Sequence, residues 1–226
     1  MKSAVKIFKR RKNMNKISSH LNLFGNVLIV ISLIGFYLTF GPALSLEGDY
    51  QVRKALKQNY ILNDYGDSNT PKTNNELVPP NLDFSIVIPQ IGAVAPVYTN
   101  VDPFNEEEFL RVLRHGVAQA KGSVLPGQAG NTYIFAHSTD AFYNVGRYNA
   151  VFYLIGKLEV GDNIYIYFQN HKYTYTVYDK KVVSPTSVGY LGTLKKNVNT
   201  LTLQTCYPPG TTLKRLIVLS ELTIIN

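Results

Sequence analysis

Residues 201–218 read LTLQTCYPPGTTLKRLIV and contain the features that decide the fold of this chain. Two runs rich in leucine, threonine and other strand-forming residues flank a Tyr-Pro-Pro-Gly-Thr-Thr segment that breaks strand pairing and turns. Because side chains alternate between the two faces of a strand, Leu201 and Leu203 lie on one face and Cys206 on the other. We therefore predict a β-hairpin centred near Gly210, with the leucines in the core and Cys206 facing a groove or solvent.

The predicted hairpin places Arg215 opposite Cys206, with both side chains on the same face. A guanidinium beside a thiol can favour the thiolate or hold the oxyanion of a tetrahedral intermediate. His137, predicted at the end of another strand, supplies an imidazole that can exchange a proton with the thiol near neutral pH. The alternatives are a small buried cysteine, a solvated arginine on an edge strand, and a histidine satisfied by backbone hydrogen bonds.

Short β-type runs separated by turn residues continue from residue 83 to residue 226. One helix is predicted after the first two of these runs, with Asn105 as its N-cap, Glu108 three residues later as in a capping box, and its end near Gly116. Strands are predicted at residues 84–88, 94–98, 132–137, 163–169, 173–183, 201–206 and 213–225. The pattern predicts a mainly β domain, a closed or nearly closed barrel with one or two short helices.

The N-terminal region is typical of a membrane anchor. Residues 1–20 carry seven Lys and Arg and no acid, and residues 21–42 form an uncharged apolar stretch long enough for a transmembrane helix. The positive-inside rule then puts the N-terminus in the cytoplasm and residues from about 43 onward outside the cell. A cleaved secretory signal is the alternative, with Ala43-Leu44-Ser45 as a weak cleavage site. Residues 43–82 are expected to be a stalk, helical in its first part, and an Asn- and Pro-rich linker.

Composition excludes several classes of protein. Hydrophobic residues make up 45% of the chain and charged residues 17%, which excludes general disorder. The chain has 23 Lys and Arg against 15 Asp and Glu, but without the basic tail the balance is close to neutral, so no nucleic-acid partner is expected. Cys206 is the only cysteine, which excludes an intrachain disulfide and a cysteine zinc site. The sequence has no convincing cluster of Asp and Glu that would indicate a calcium site. No cofactor or metal is expected.

Two motifs resemble those of the sortase family. Residues 202–206, TLQTC, are similar to the sortase TLxTC motif, and Arg215 stands where the family has its arginine. Residues 125–137, LPGQAGNTYIFAH, are similar to the family's LPGxxGNxxxxGH segment, with Ala136 where glycine is more common. The stretches 88–92 and 158–162 also fit the family pattern, so the resemblance extends over residues 83–226.

The resemblance implies a membrane-anchored cysteine transpeptidase with a sortase-type β-barrel. Cys206 would attack an LPxTG-like sorting motif of a surface protein and form a thioacyl-enzyme. His137 would protonate the departing amine and later deprotonate the incoming one, and Arg215 would stabilise the oxyanion. An amine on a cell-wall precursor or another protein would accept the acyl group. The residues expected to bind the sorting peptide are Ala136, Thr205, Val188, Tyr190 and Leu191.

The subclass and the rival functions follow from further features. Asp102-Pro103-Phe104 matches the Asp-Pro-aromatic lid motif of pilus-polymerising sortases, which lies ahead of the barrel. Here the tripeptide follows the first strands and begins a helix, so we interpret it as a helix cap. With no second apolar span before residue 226, a housekeeping or class D/E-like sortase is expected. The alternatives are a secreted cysteine peptidase that only hydrolyses and a membrane-tethered binding module without activity. A cell-wall L,D-transpeptidase is disfavoured because its Ser-x-Gly-Cys pattern is absent around Cys206.

Overall fold

The chain begins with one continuous helix. The computed structural model describes residues 2–63, 75–138, 151–192 and 197–226, with side chains from Asn22 onward apart from Pro42. Its first element is helix α1 (Lys2–Leu56). Within the described residues, Asn22–Gly41 is the one helical segment long and apolar enough to cross a membrane, and it is not buried against the rest of the protein. At about 1.5 Å per residue, such a segment matches a hydrocarbon core of roughly 30 Å.

The part of α1 that follows the apolar segment packs on the rest of the protein. Ala43 is buried and Tyr50 packs against the hydrophobic core. Two ion pairs join the same helix to one short segment: Glu47 to Lys157 at 2.6 Å, and Lys54 to Glu159 at 2.9 Å. The predicted stalk is therefore helical as far as Leu56, and it is docked rather than free.

Strands and short helices follow α1. Two two-residue strands, β1 (Ile61–Leu62) and β2 (Glu76–Leu77), pair in parallel. The next elements are β3 (Phe84–Ile88), a 3-10 turn (Pro89–Ile91), β4 (Ala93–Val101), α2 (Glu106–Leu113), β5 (Val117–Ala120) and β6 (Gly130–Phe135). After a second 3-10 turn (Ile155–Lys157) come β7 (Asn163–Phe168), β8 (His171–Val183), β9 (Asn199–Tyr207) and β10 (Lys214–Ile225).

Strands β3 to β10 close into an eight-stranded barrel in the order β10-β8-β7-β3-β4-β5-β6-β9. All neighbouring pairs are antiparallel except β4 with β5 and β6 with β9. A parallel pair needs a crossover connection, and α2 supplies it between β4 and β5. The prediction of a mainly β closed barrel is confirmed. The parallel β6–β9 pair decides the geometry of the site, because it joins segments that are far apart in the chain.

Apolar side chains from alternate positions fill the barrel. The fully buried ones include Ile86, Ile134, Ile166, Leu203 and Val218, which come from five different strands. Leu201 and Leu203 lie in the core as the alternation in β9 predicts. This interior fixes the orientation of each strand, since a one-residue slip would turn the apolar side chains outward.

Two local predictions agree with the structure, and one strand was not predicted. Asn105 is the N-cap of α2 and its side chain accepts from the Glu108 backbone N–H at 3.2 Å. Asp102 accepts from the Phe104 backbone N–H at 2.9 Å, so this tripeptide forms the turn into α2, as we predicted. Strand β5 escaped prediction because its Val-Ala-Gln-Ala sequence has little strand propensity. Its four residues are nonetheless all buried.

Candidate functional site

Cys206 lies near the end of β9, half-buried and opposite Arg215 of β10. The Cα partners in this antiparallel pair run from Lys214 with Tyr207 to Glu221 with Thr200, and Arg215 pairs with Cys206. Between the strands, the Thr211 backbone N–H donates to the Pro208 carbonyl at 3.1 Å and closes the turn. The predicted hairpin and its register are therefore confirmed. Partners in such a pair project to the same side, so the thiol and the guanidinium share one face.

His137 lies just beyond β6, the other neighbour of β9. The last paired residues are Phe135 and Gln204, and the next backbone N–H, that of Ala136, donates to the Gln204 carbonyl at 3.1 Å. Continuing this parallel register brings residue 137 level with Cys206. Strand β6 ends at Phe135 rather than at His137, so His137 lies in the segment that follows the strand. The sequence gives His137 no clear acidic partner, and Asp140, the nearby acid, lies outside the described residues.

Two predicted peptide-binding residues, Thr205 and Ala136, are buried and bonded to each other. The Thr205 hydroxyl donates to the Ala136 carbonyl at 3.0 Å. This bond continues the tie between β9 and the end of β6, beside both Cys206 and His137. Thr205 also lines the cavity that contains Cys206. The contact of these two residues therefore fixes the local backbone.

Buried hydroxyl and amide groups hold β6 and β9 together further along. The Asn131 amide oxygen accepts from the hydroxyls of Thr200 at 3.1 Å and Thr202 at 2.9 Å. The Asn131 amide nitrogen donates to the Tyr190 carbonyl at 2.7 Å. Thr202 is fully buried, although it shares the face of Cys206, so this face is open only toward the end of β9. Asn131 and Thr202 of the two motifs, together with the neighbouring Thr200, thus reinforce the strand pairing that carries the site.

Gln204 and Tyr133 form a polar pair, and the charge of Arg215 acts on the Tyr133 phenol. The Tyr133 hydroxyl donates to the side-chain oxygen of Gln204. Burial raises the pKa of Tyr133 well above its usual range, and the nearby positive charge of Arg215 partly opposes that rise. Both effects require the phenol to lie inside the barrel wall and close to the guanidinium.

The electrostatics of Cys206 combine two opposed effects. Burial raises the pKa of the Cys206 thiol above its usual value of 9.0, and the charge of Arg215 lowers it by a smaller amount. The resting group is therefore mainly a thiol near neutral pH. The idea that Arg215 alone favours a resting thiolate is not supported by this balance. The guanidinium remains suited to an oxyanion that forms during reaction.

Arg215 is held by the backbone of its own hairpin. Its Nη1 donates to the carbonyls of Thr212 at 3.1 Å and Lys214 at 3.2 Å. An arginine side chain has five N–H donors, and these two bonds use only those of Nη1. Among the residues that the structure describes, Nη2 and Nε have no acceptor, so both can donate to another group on the Cys206 face.

Cys206 lines a cavity of about 330 Å³. Its other lining residues are Glu47, Tyr153, Gly156, Lys157, Thr205, Tyr207, Pro209 and Leu216. Four of these residues, Glu47, Tyr153, Gly156 and Lys157, were not predicted from the sequence motifs. Glu47 belongs to α1, and the other three lie in or just before the second 3-10 turn. The sequence alone gave no clear indication that Glu47 lines the cavity of Cys206.

The predicted peptide-binding loop lies between β8 and β9. Val188 is exposed, whereas Tyr190 and Leu191 are half-buried and pack against the core. The Leu191 backbone N–H donates to the Val188 carbonyl at 3.1 Å. The loop is thus tied to the barrel through its second half, and Asn131 of β6 bonds to it directly. Within the described residues, no group of three or more His, Cys, Asp or Glu side chains could hold a metal ion.

Comparison with known proteins agrees with this geometry. The family model described as "Sortase domain" matches residues 86–223, more than half of the chain. None of the curated proteins compared with this chain matches it.

Several solved structures are similar to the chain. Sortase A from Corynebacterium diphtheriae, a lid mutant, is 28% identical with a TM-score of 0.54, over 65% of this chain and 72% of that one. Sortase C-1 from Actinomyces oris is 27% identical with a TM-score of 0.53, over 62% and 73%. Sortase C from Clostridium perfringens is 28% identical with a TM-score of 0.50, over 62% and 68%.

Proposed function

The chain belongs to the sortase family and is a sortase-type cysteine transpeptidase, and from this premise we propose that Cys206, His137 and Arg215 form its active site. The observation that carries the proposal is the strand pairing around β9. Arg215 is the Cα partner of Cys206 on one side, and the parallel register of β6 brings residue 137 level with it on the other. Three residue types suited to acyl transfer therefore converge although they are distant in the chain.

In the first step, the Cys206 sulfur attacks the backbone carbonyl carbon of the Thr–Gly bond in an LPxTG-like sorting peptide. The carbonyl becomes an oxyanion in a tetrahedral intermediate. The C–N bond then breaks, His137 gives a proton to the departing amine, and a thioester to Cys206 is left. Since burial keeps the thiol protonated at rest, the proton of the sulfur has to pass to the imidazole as attack begins.

In the second step, an amine attacks the thioester. Its nitrogen forms the new amide bond, the C–S bond breaks, and His137 takes the proton that the nitrogen loses. Arg215 stabilises the oxyanion in both steps, since Nη2 and Nε remain to donate after Nη1 has bonded the hairpin carbonyls.

The sorting peptide would lie in a groove along β6 and β9, walled by the loop that contains Val188, Tyr190 and Leu191. Thr205 and Ala136 would shape its floor through their mutual hydrogen bond. Surface proteins that carry the sorting motif are the proposed substrates, and a cell-wall precursor or another protein supplies the accepting amine. The turn formed by Asp102-Pro103-Phe104 supports a housekeeping or class D/E-like enzyme.

Membrane anchoring is part of the same proposal. The domain boundaries we propose are a cytoplasmic tail at 1–20, a single-pass anchor at 21–42, a stalk and linker at 43–82, and the catalytic barrel at 83–226. The apolar segment Asn22–Gly41 supports the anchor. The seven basic residues before it support a cytoplasmic N-terminus and an extracellular catalytic domain.

The deciding experiment mixes the full chain in detergent micelles with an LPxTG-type peptide and an amide-capped triglycine. Mass spectrometry should detect a thioester adduct on Cys206 and then a peptide joined to triglycine. Cys206→Ala should yield neither product, and Cys206→Ser should serve as a matched control of similar size. Hydrolysis product alone, over a range of amines, would favour a peptidase, and no turnover of any sorting peptide would favour a binding module.

A further inference from the structure

The anchor helix contributes a side chain to the cavity of Cys206. Glu47 lines this cavity together with Cys206 and Lys157, although it precedes the barrel in the chain. Glu47 lies shortly after the end of the apolar segment at Gly41, within the same helix. The segment that crosses the membrane and the cavity wall are therefore parts of one rigid element.

The position of Glu47 is determined by contacts along one face of α1. Ala43, Glu47, Tyr50 and Lys54 recur at spacings of three and four, which places them on one side of a helix. Ala43 is buried, and the Tyr50 ring lies 5.5 Å from the Lys157 ammonium and 5.9 Å from that of Lys54. The Lys54–Glu159 ion pair adds a second link to the barrel. Glu47 is thus held at the cavity by neighbours on both sides.

The two oxygens of the Glu47 carboxylate differ. Both of its donors, Lys157 Nζ at 2.6 Å and Gln51 Nε2 at 2.7 Å, bond to Oε1. Oε2 accepts from none of the residues that the structure describes. The hydrogen bond from Lys157 lowers the pKa of Glu47, so the group is ionised at neutral pH. One oxygen is fixed by the protein, and the other is left with acceptor capacity.

We propose that Glu47 is a specificity residue for the accepting substrate: Oε2 binds the ammonium group of the incoming amine next to the thioester of Cys206. The inference rests on the proposed function. Amines are mostly protonated at neutral pH, and Oε2 can accept a charge-assisted hydrogen bond from such an ammonium while Lys157 pairs with Oε1. Glu47 is the one carboxylate among the described residues that line this cavity.

The reaction balances without any further component. The bound ammonium gives one proton to solvent and becomes a neutral amine. Its nitrogen then forms the C–N bond at the thioester carbonyl, the C–S bond breaks with the electron pair on sulfur, and the second proton passes from nitrogen to the His137 imidazole. Glu47 touches only the incoming group, so its effect belongs to the second half of the reaction.

The test compares a charged with an uncharged nucleophile on the full chain in detergent micelles. Acyl-enzyme made from an LPxTG-type peptide is offered either amide-capped triglycine or hydroxylamine, which is uncharged at neutral pH. Glu47→Gln removes the charge and keeps the shape. We expect the KM for triglycine amide to rise about ten-fold, which corresponds to ~1.4 kcal/mol. The ratio of kcat/KM for triglycine amide to that for hydroxylamine should fall by the same factor.

Glu159→Gln is the matched control, because it removes a carboxylate from the same contact between helix and barrel but outside this cavity. In this variant, the ratio of kcat/KM for triglycine amide to kcat/KM for hydroxylamine should equal that of the unaltered enzyme. If Glu47→Gln lowered kcat/KM equally for both nucleophiles, the inference would be overturned, since an equal loss would indicate undocking of the helix. An unchanged KM for triglycine amide would also overturn it, while leaving the proposed function intact. An unaltered enzyme that only hydrolyses its acyl-enzyme would overturn both.

Discussion

Replacement of Arg215 by lysine separates the two roles that a cation beside Cys206 can have. If Arg215 mainly lowers the pKa of the thiol, any positive charge at this position serves. If it mainly holds the oxyanion, activity depends on the geometry of its N–H donors, which lysine does not reproduce. The structure favours the second role, because burial outweighs the effect of Arg215 on the pKa of Cys206.

The expected size of the effect follows from the hydrogen bonds of the guanidinium. Nη1 is committed to the carbonyls of Thr212 and Lys214, and Nη2 and Nε remain for the oxyanion. A lysine ammonium has three donors at one point and cannot bond the hairpin carbonyls and an oxyanion in the same geometry. Loss of one oxyanion donor costs roughly 10²–10³ in kcat. We expect Arg215→Lys to lose about 10²-fold in acylation and Arg215→Ala about 10³-fold or more.

Two assays on the same protein measure the two roles separately. Acylation is followed by the burst of released glycine peptide from an LPxTG-type substrate. Alkylation of Cys206 by iodoacetamide reports the thiolate fraction without forming an oxyanion of the substrate. Arg215→Lys should alkylate within about three-fold of the unaltered enzyme, because the charge is kept, while its acylation falls.

Two results would refute this reasoning. Acylation by Arg215→Lys close to that of the unaltered enzyme would mean that the planar donor group is unnecessary. Equal losses of acylation and alkylation would mean that Arg215 acts through the thiolate. Circular dichroism of each variant checks that the barrel is intact, and Lys214→Arg, at the neighbouring exposed position, controls for changes of the hairpin itself.

Three further predictions concern pH and packing. Because the pKa of Cys206 is raised above 9.0, the rate of its alkylation should still increase with pH beyond that value; a plateau near pH 8 would contradict the effect of burial. Leu203→Ala should lower the free energy of unfolding by about 2–5 kcal/mol in urea denaturation, since the side chain is fully buried, whereas the exposed Val188→Ala should change it by less than about 0.5 kcal/mol. The lowered pKa of Glu47 means that its contribution to helix docking is present above the usual value of 4.5 and is lost as the pH falls through the lowered value. Acidification should therefore speed proteolysis within residues 57–63.

Much of the β9–β10 hairpin could be predicted from the sequence because its determinants are local. Alternation in residues 201–206 assigns the faces, and the Pro-Pro-Gly turn limits the register, so Arg215 could be placed opposite Cys206. The cap of α2 at Asn105 is local in the same way. The apolar segment was predicted from composition, since length and hydropathy alone decide whether a helix can cross a membrane.

Strand β5 and the surroundings of Cys206 could not be predicted in this way. The strand is buried by its neighbours rather than favoured by its own sequence. The pKa of Cys206 is raised by desolvation, a property of packed three-dimensional surroundings that strand alternation does not describe. The sequence left open whether Arg215 favours a thiolate or holds an oxyanion, and the packing favours a thiol at rest.

Local sequence was enough to predict the hairpin, the apolar N-terminal segment and the residue types suited to acyl transfer. The meeting of segments that are distant in the chain became visible in the folded protein alone. Residue 137 comes level with Cys206 through the parallel β6–β9 pair, and Glu47 reaches the same cavity because α1 docks on the segment around Lys157. The physical reason is that pairing and docking over such separations depend on the closure of the whole barrel, whose free energy is shared among all strands and encoded in no single stretch.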